Sequence, residues 1–222
     1  MDIEFELNGE SFKNYSEDDT KLNDLIAADI IQHHMQGLFG FSGYETNIFQ
    51  SKDVSKLLLK IAVDIIEQTI GKLYLQHNGR GWKREKKVEL SESGLIFVFI
   101  ADPKTNNTVA FMCFKLCPDT EDQSVLYLYE IHVTSEYQGR GLGQILINKF
   151  HELAIDLKKS SNSLYKRLTG TALTVFSNNE RTLSWYKNMN YSLTADSPLD
   201  KVLRHGNVLK PDYYLLKRPL II

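Results

Sequence analysis

Residues 138–143 read Gln-Gly-Arg-Gly-Leu-Gly, and residues 142–157 then repeat apolar side chains at helical spacing. A glycine-rich turn that opens a helix is built for an anion. The first-turn N–H groups have no partner inside the helix, and without side chains in the way an anion can reach them. The spacing suits a phosphate or pyrophosphate, but neither familiar nucleotide loop fits. The Walker pattern needs a Lys-Ser/Thr pair after its last glycine, where this chain has Gln144. The dinucleotide fingerprint needs Gly-x-Gly-x-x-Gly early in the chain, whereas these glycines stand late, at 139, 141 and 143.

A second chemical group lies just upstream, in the apolar stretch Ser-Val-Leu-Tyr-Leu-Tyr-Glu-Ile-His-Val of residues 124–133. Period-two alternation places Leu126, Leu128 and Glu130 on one face. A carboxylate among leucines is desolvated, which raises its pKa toward the range of a general base. The competing reading pairs Glu130 with a lysine or arginine. Alternation sends Tyr127 and Tyr129 to the opposite face, and they line one slot with Glu130 only where the strand is bulged or both faces border a cleft.

Composition narrows the partners. Lysine plus arginine number 26 against 28 acids in 222 residues, so no global field argues for nucleic acid. The acidic start and short apolar runs carry neither a leader nor a membrane span, which leads us to expect a soluble, intracellular protein without a membrane partner. Cys113 and Cys117 lack a second ligand pair and read as buried free thiols, with no metal and no disulfide.

The elements that must position these groups form one α/β domain of mixed α+β character. Residues 21–35 and 53–74 carry helical periodicity, the second capped by Ser51 or Asp53, with a loop over residues 37–49 between them. Residues 94–101 and 108–116 read as a hairpin about a turn of turn-forming residues, and 124–133 as a third strand. A helix (142–157), a strand (171–176), a helix (179–189) and a last strand (212–218) follow. Basic residues 83–87 read as a solvated helix face.

Gln138-Gly139-Arg140-Gly141-Leu142-Gly143 resembles the pyrophosphate loop of the GNAT N-acetyltransferases. Asn179, Thr182, Trp185-Tyr186 and Asn190-Tyr191 resemble that superfamily's second block. The stretches Leu-Tyr-Leu-Tyr-Glu-Ile-His-Val, Leu-Thr-Val-Phe-Ser-Asn-Asn, Asp-Ser-Pro and Gly-Trp-Lys-Arg-Glu-Lys together resemble the NatD-type N-terminal acetyltransferases from about Ala62 to Lys217. The resemblance implies a central, mostly antiparallel sheet flanked by helices, with acetyl-CoA in a slot between splayed strands. Residues 1–50 would form a helical N-terminal segment packed on an acetyltransferase domain of residues 51–222.

It further implies acetyl transfer to the amino-terminal serine of histones 2A and 4, whose tails begin Ser-Gly-Arg-Gly. These tails would be the partners, with the ribosome as a further candidate, in cytoplasm and nucleus. Glu130 would be the base, Tyr186 would protonate the departing thiolate, and Tyr213 would stand near the amine. Ile131, His132, Val133, Gln138, Gly139, Arg140, Gly141, Leu142, Gly143, Gln144, Thr174 and Asn179 would hold the cofactor. Tyr74, Trp82, Asp119, Tyr127, Tyr129, Ser197 and Tyr213 would hold the peptide, with Asp119 reading its arginine. Arg80 departs from the family, standing where an aromatic is usual. A GNAT enzyme for a small amine or another protein terminus, and a noncatalytic CoA-binding module, remain the alternatives.

Overall fold

The structure, a computed structural model, describes residues 3–120 and 122–221. Its first element is a hairpin, β1 (Glu4–Leu7) and β2 (Glu10–Lys13), joined by Asn8-Gly9 with both residues at positive φ. Helix α1 (Thr20–His34) follows, capped by the Asp19 side chain on the Leu22 N–H. Strand β3 (Glu45–Gln50) comes next, then helices α2 (Lys56–Asn78) and α3 (Trp82–Glu89).

The remaining chain gives β4 (Ile96–Asp102), β5 (Asn107–Thr120), β6 (Gln123–Val133), α4 (Leu142–Lys159), β7 (Leu168–Phe176) and α5 (Glu180–Lys187). Three short strands, β8 (Ser192–Leu193), β9 (Lys201–Val202) and β10 (Val208–Leu209), precede β11 (Tyr213–Pro219).

Seven strands pair in the order β3-β4-β5-β6-β7-β11-β8, antiparallel throughout except for the parallel pair β6 and β7. Helices cover both faces, so the central strands are apolar on both sides. On β4, Ile96, Val98 and Ile100 enter the core beneath α1 and α4, while Phe97 and Phe99 enter the one beneath α2 and α3. Helix α4 buries Leu146, Ile147, Phe150, Leu153, Ala154 and Leu157, a stripe at helical spacing against the first of these cores.

Several expectations need correction. Among the described residues of the first fifty, 3–50, only α1 is helical, and the rest supply the hairpin and the edge strand β3. Residues 37–49 are therefore not all loop. The cap of α2 is Ser55, whose hydroxyl accepts from the Leu58 N–H at 3.2 Å, because residues 51–53 form a separate 3-10 turn. The helix face read at residues 83–87 is a separate helix, α3, between α2 and the sheet strands.

One irregularity decides what the sheet can do. In the pairing of β5 with β6, Phe114 stands opposite Leu128 and Cys113 opposite Glu130, so Tyr129 is an extra residue without a partner. Facing residues share a side, so Leu126 and Leu128 point to the α4 core, whereas Glu130 and His132 point to the α2 core. The bulge thus lifts Glu130 off the leucine face and puts it on the face of Tyr127. Beyond Leu128, opposite Leu173, β6 and β7 no longer pair.

Phe114 is fully buried between Phe39 and Phe150. Phe114→Ala is expected to lower the unfolding free energy by about 3–5 kcal/mol. Val88→Ala, on the exposed side of α3, should stay within about 0.5 kcal/mol of wild type. Urea denaturation measures both.

Candidate active site

Where β6 and β7 part, a cleft of about 780 Å³ opens through the sheet. Thr69, Tyr74, Glu130 and His132 line it from the α2 side, and Ile131, Val133 and Tyr186 from the side of α4 and α5. A second hollow of about 550 Å³ lies at the mouth of α4 and shares Ile131, Val133, Gln138, Arg181 and Thr182 with the first. The two form one groove, running from a helix N-terminus to a buried carboxylate.

The mouth is built as the glycine spacing requires. Gly141 is the N-cap of α4 with φ 81° and provides no side-chain cap, so the first-turn N–H groups stay open. Gly139 has φ 74°, and a Cβ at either glycine would point into open space at the mouth. Any other residue would be strained there and would crowd an incoming anion. Gln138 Nε2 donates to the Val133 carbonyl at 3.0 Å, tying the turn to the end of β6. The Thr134 N–H bonds back to Val109 on β5, so by alternation the backbone N–H groups of Ile131 and Val133 face the cleft edge. Gly143, Leu142 and Gln144 line the mouth, and Gln144 accepts from Trp185 Nε1 at 3.0 Å.

Glu130 is the most heavily bonded side chain of the cleft. Its Oε1 accepts from Lys86 Nζ at 2.8 Å and from the Tyr74 hydroxyl at 2.8 Å, and its Oε2 lies 2.6 Å from His132 Nε2. His132 Nδ1 in turn lies 2.8 Å from Thr69 Oγ1, and Lys86 also pairs with Glu89 at 2.6 Å. Burial pushes the Glu130 carboxyl upward and is the largest single effect. The Lys86 charge and the His132 hydrogen bond together outweigh it, and the carboxyl is held down at about 2. The expected raised carboxyl is therefore reversed, because the bulge delivers Glu130 to a lysine instead of leaving it among leucines. Burial lowers Lys86, but Glu130, Tyr74 and Glu89 raise it above the ordinary lysine range.

Most of the remaining expected residues meet here. Tyr127 lines the cleft and its hydroxyl hydrogen-bonds Thr174 Oγ1, Tyr129 packs edge-on against it, and Tyr213 sits at the rim. Asn179 both lines the cleft and caps α5 through the Thr182 N–H. The buried Tyr186 borders the cleft, and burial raises its hydroxyl well above the ordinary tyrosine range, so it keeps its proton.

Four expected contacts are placed elsewhere. Asp119 is engaged by Lys217 at 2.6 Å and does not border the cleft. The Ser197 hydroxyl is buried and accepts from the Leu215 N–H at 3.0 Å, fastening a loop to β11. Trp82 is buried and stacked on Tyr74 with centroids 4.9 Å apart, so it backs the wall without forming it. Arg140 donates to the Glu136 carbonyl at 2.9 Å and lies over the Tyr137 ring, which commits it to the turn before α4. Arg80 is exposed and lines neither hollow.

Thr69 carried no signal in the sequence, and Lys86 corrects the reading of residues 83–87 as a solvated helix face: the helix forms, but Lys86 is buried against Glu130. Lys86 was legible in one respect: it stands four residues after the buried Trp82 and so shares its helix face. Both cysteines are buried free thiols, each pushed upward by burial. Among the described residues no group of three or more histidines, cysteines or acids is arranged to hold a metal, and no helix is long and apolar enough to cross a membrane.

A parallel strand pair that splays over a glycine-lined helix mouth defines the class. The chain belongs to the Acetyltransferase (GNAT) family, whose profile matches residues 66–191. N-alpha-acetyltransferase 40 of Saccharomyces cerevisiae is 29% identical over 171 residues, covering 67% of this chain and 58% of that protein. The chain thus matches less than two thirds of that relative's length. Among solved structures, Arabidopsis thaliana NAA60 in complex with a bisubstrate analogue superposes with a TM-score of 0.52 at 14% identity, over 80% of this chain and 100% of that one. The PaiA N-acetyltransferase of Thermoplasma acidophilum in complex with coenzyme A gives 0.52 at 12% identity, over 80% and 99%. An acetyltransferase of Streptococcus agalactiae gives 0.53 at 16%, over 81% and 100%. At these identities the likeness is one of fold.

The Glu130 site has a stability consequence with a defined sign. A carboxyl depressed on folding adds stability that is complete above its unfolded value and is lost as pH falls toward the folded one. The stability advantage of wild type over Glu130→Gln should therefore shrink by about 3 kcal/mol as pH falls from about 5 to about 2. Urea titrations across that range read the difference.

Proposed function

We propose that this chain is a protein N-alpha-acetyltransferase that moves acetyl from acetyl-CoA to the amino-terminal serine of histones 2A and 4. The observation that carries the reading is the single groove joining the open N–H groups of α4 to the Glu130 cluster. Family membership and the N-alpha-acetyltransferase relative support it, and the substrate assignment leans on that relative and on the motifs around Glu130. Under this reading the partners are amino-terminal histone tails met in cytoplasm and nucleus, with nascent chains at the ribosome as a further source of amino termini.

The residues present fit acetyl-CoA. Gly139, Gly141, Leu142 and Gly143 would take its diphosphate, the N–H groups of Ile131 and Val133 its pantetheine arm, and Thr174 and Asn179 would flank it. When bound, acetyl-CoA supplies the thioester from which acetyl is transferred. Tyr186, which retains its proton, would donate it to a departing thiolate.

Glu130 acts differently from a raised-pKa base. A carboxylate has about four acceptor sites. Lys86 and Tyr74 fill those of Oε1 and His132 fills one on Oε2, which leaves one acceptor site free. A carboxyl at about 2 does not strip a proton from an α-ammonium group, whose own pKa is about 8. Glu130 instead offers that one acceptor to an N–H of the amine that has already lost its proton to solvent, directly or through a water, and so orients its lone pair; the proton the nitrogen sheds on acylation passes along that hydrogen bond to water. Tyr127, Tyr129 and Tyr213 enclose the amine from the sides.

Three outcomes are expected. With acetyl-CoA, a Ser-Gly-Arg-Gly peptide gains one acetyl group on its α-nitrogen, read by fragment mass spectrometry, whereas modification of internal lysine alone would overturn the reading. Glu130→Gln should lower kcat/KM about ten- to a hundredfold, the loss of one hydrogen bond to a charged acceptor. In the wild type, kcat/KM should rise about tenfold per pH unit up to the amine's own pKa near 8, and the rise should move with that pKa when the first residue is changed.

A further inference from the structure

A third hollow, of about 850 Å³, lies on the α2 side of the sheet and shares Tyr129 with the reaction cleft. Its floor is Lys115 of β5, which stands opposite Tyr127 in the strand register and so projects from the same face as Glu130. Its rim comes from the residues before α1, from α3, and from the loop after α3, and includes Glu17, Asp18, Arg84, Lys87, Ser91 and Glu92.

Lys115 is the unusual feature. Only 5% of it is exposed, yet it makes no hydrogen bond or ion pair with any described residue. Lysines buried to this degree are nearly always paired, because desolvating an ammonium group without an acceptor is costly. Lys86 on the same face shows the ordinary solution, with two carboxylates in contact. The stem of Lys115 is buried, but its amino group is not among the buried polar atoms without a partner, so it reaches into the open hollow, where water satisfies it until a ligand brings an acceptor.

The charges of the hollow limit what that ligand is. Arg84, Lys87 and Lys115 are matched by Glu17, Asp18 and Glu92, so there is no net field to gather a polyanion. What suits the hollow is a chain carrying both neutral acceptors and a cation. A peptide with a basic side chain has both, since its carbonyls accept from the Lys115 amino group in place of water and its cation faces the acids. Tyr129, the bulge residue, is the wall a peptide would cross on leaving the cleft.

Building on the reading of the cleft as an N-terminal acetyltransferase site, we propose that this hollow holds the stretch of acceptor peptide that follows the reacting amino end. Lys115 donates to a peptide carbonyl, and Glu17, Asp18 and Glu92 face a basic side chain. Lys115 is then a specificity residue that acts on peptide length without touching the reacting atoms.

The test compares two acceptors sharing their first two residues, an amidated dipeptide and a longer peptide with arginine at the third position, in wild type, Lys115→Met and Ser91→Trp. Ser91 is exposed on the rim, so its tryptophan variant blocks the hollow without disturbing the core. The longer peptide should show a KM raised about tenfold or more in both variants, the loss expected for a hydrogen bond from a charged donor. Its kcat should be nearly unchanged, as should both constants for the dipeptide amide. Equal changes for the two acceptors, or none in either variant, would overturn the role of the hollow while leaving the N-terminal reading intact. Failure of the wild type to acetylate any peptide would overturn the N-terminal reading, and the proposal for the hollow with it.

Discussion

One residue too many in β6 organises the catalytic half of this molecule. Side chains along a strand alternate strictly, so an inserted Tyr129 reverses the facing of everything after it. Without the insertion, Glu130 would enter the α4 core beside Leu128, where a charged carboxylate has no partner. With it, Glu130 meets Lys86, Tyr74 and His132. The place once meant for it is taken by Ile131 and Val133, which pack against the α4 core. The same distortion helps part β6 from β7 and so opens the backbone edge that lines the cleft.

The charge cluster this creates is expensive by itself. Burying a carboxylate and an ammonium costs several kcal/mol each, offset only where the hydrogen bonds are nearly complete. Around Glu130 they are: two donors on Oε1, one on Oε2, and a second carboxylate for Lys86. The Tyr74 ring, stacked on Trp82 and 4.7 Å below the Lys86 amino group, excludes water from the pair and adds a cation–π contact. Such a cluster is rigid. It fixes one acceptor on Glu130 in space, which suits orientation of an amine better than proton abstraction.

The groove divides its work between the faces of the sheet. The side under α4 and α5 supplies backbone donors, glycines and Tyr186, the features suited to an anion and a leaving group. The side under α2 and α3 supplies carboxylates and aromatics, suited to an amine and a basic chain. Passage between the faces is possible only where parallel pairing stops after Leu128 and Leu173. The hollow above Lys115 extends the second side away from the reaction centre.

Features that depend on near neighbours are legible in the order of the residues alone. The glycines at 139 and 141 mark left-handed turn positions, the apolar stripe of 142–157 marks a helix, and turn residues between apolar runs mark the β4–β5 hairpin. Asn8-Gly9 is an equally local hairpin signal, whereas residues 45–50 lack one because an edge strand need not alternate cleanly. The rest depends on pairings between residues far apart in the chain. Whether Asp119 is free or held by Lys217, whether Lys86 is solvated or buried on Glu130, and which way Glu130 points are set by strand register. Register fixes facing one residue at a time, and no local pattern records an insertion whose effect lies on the opposite strand.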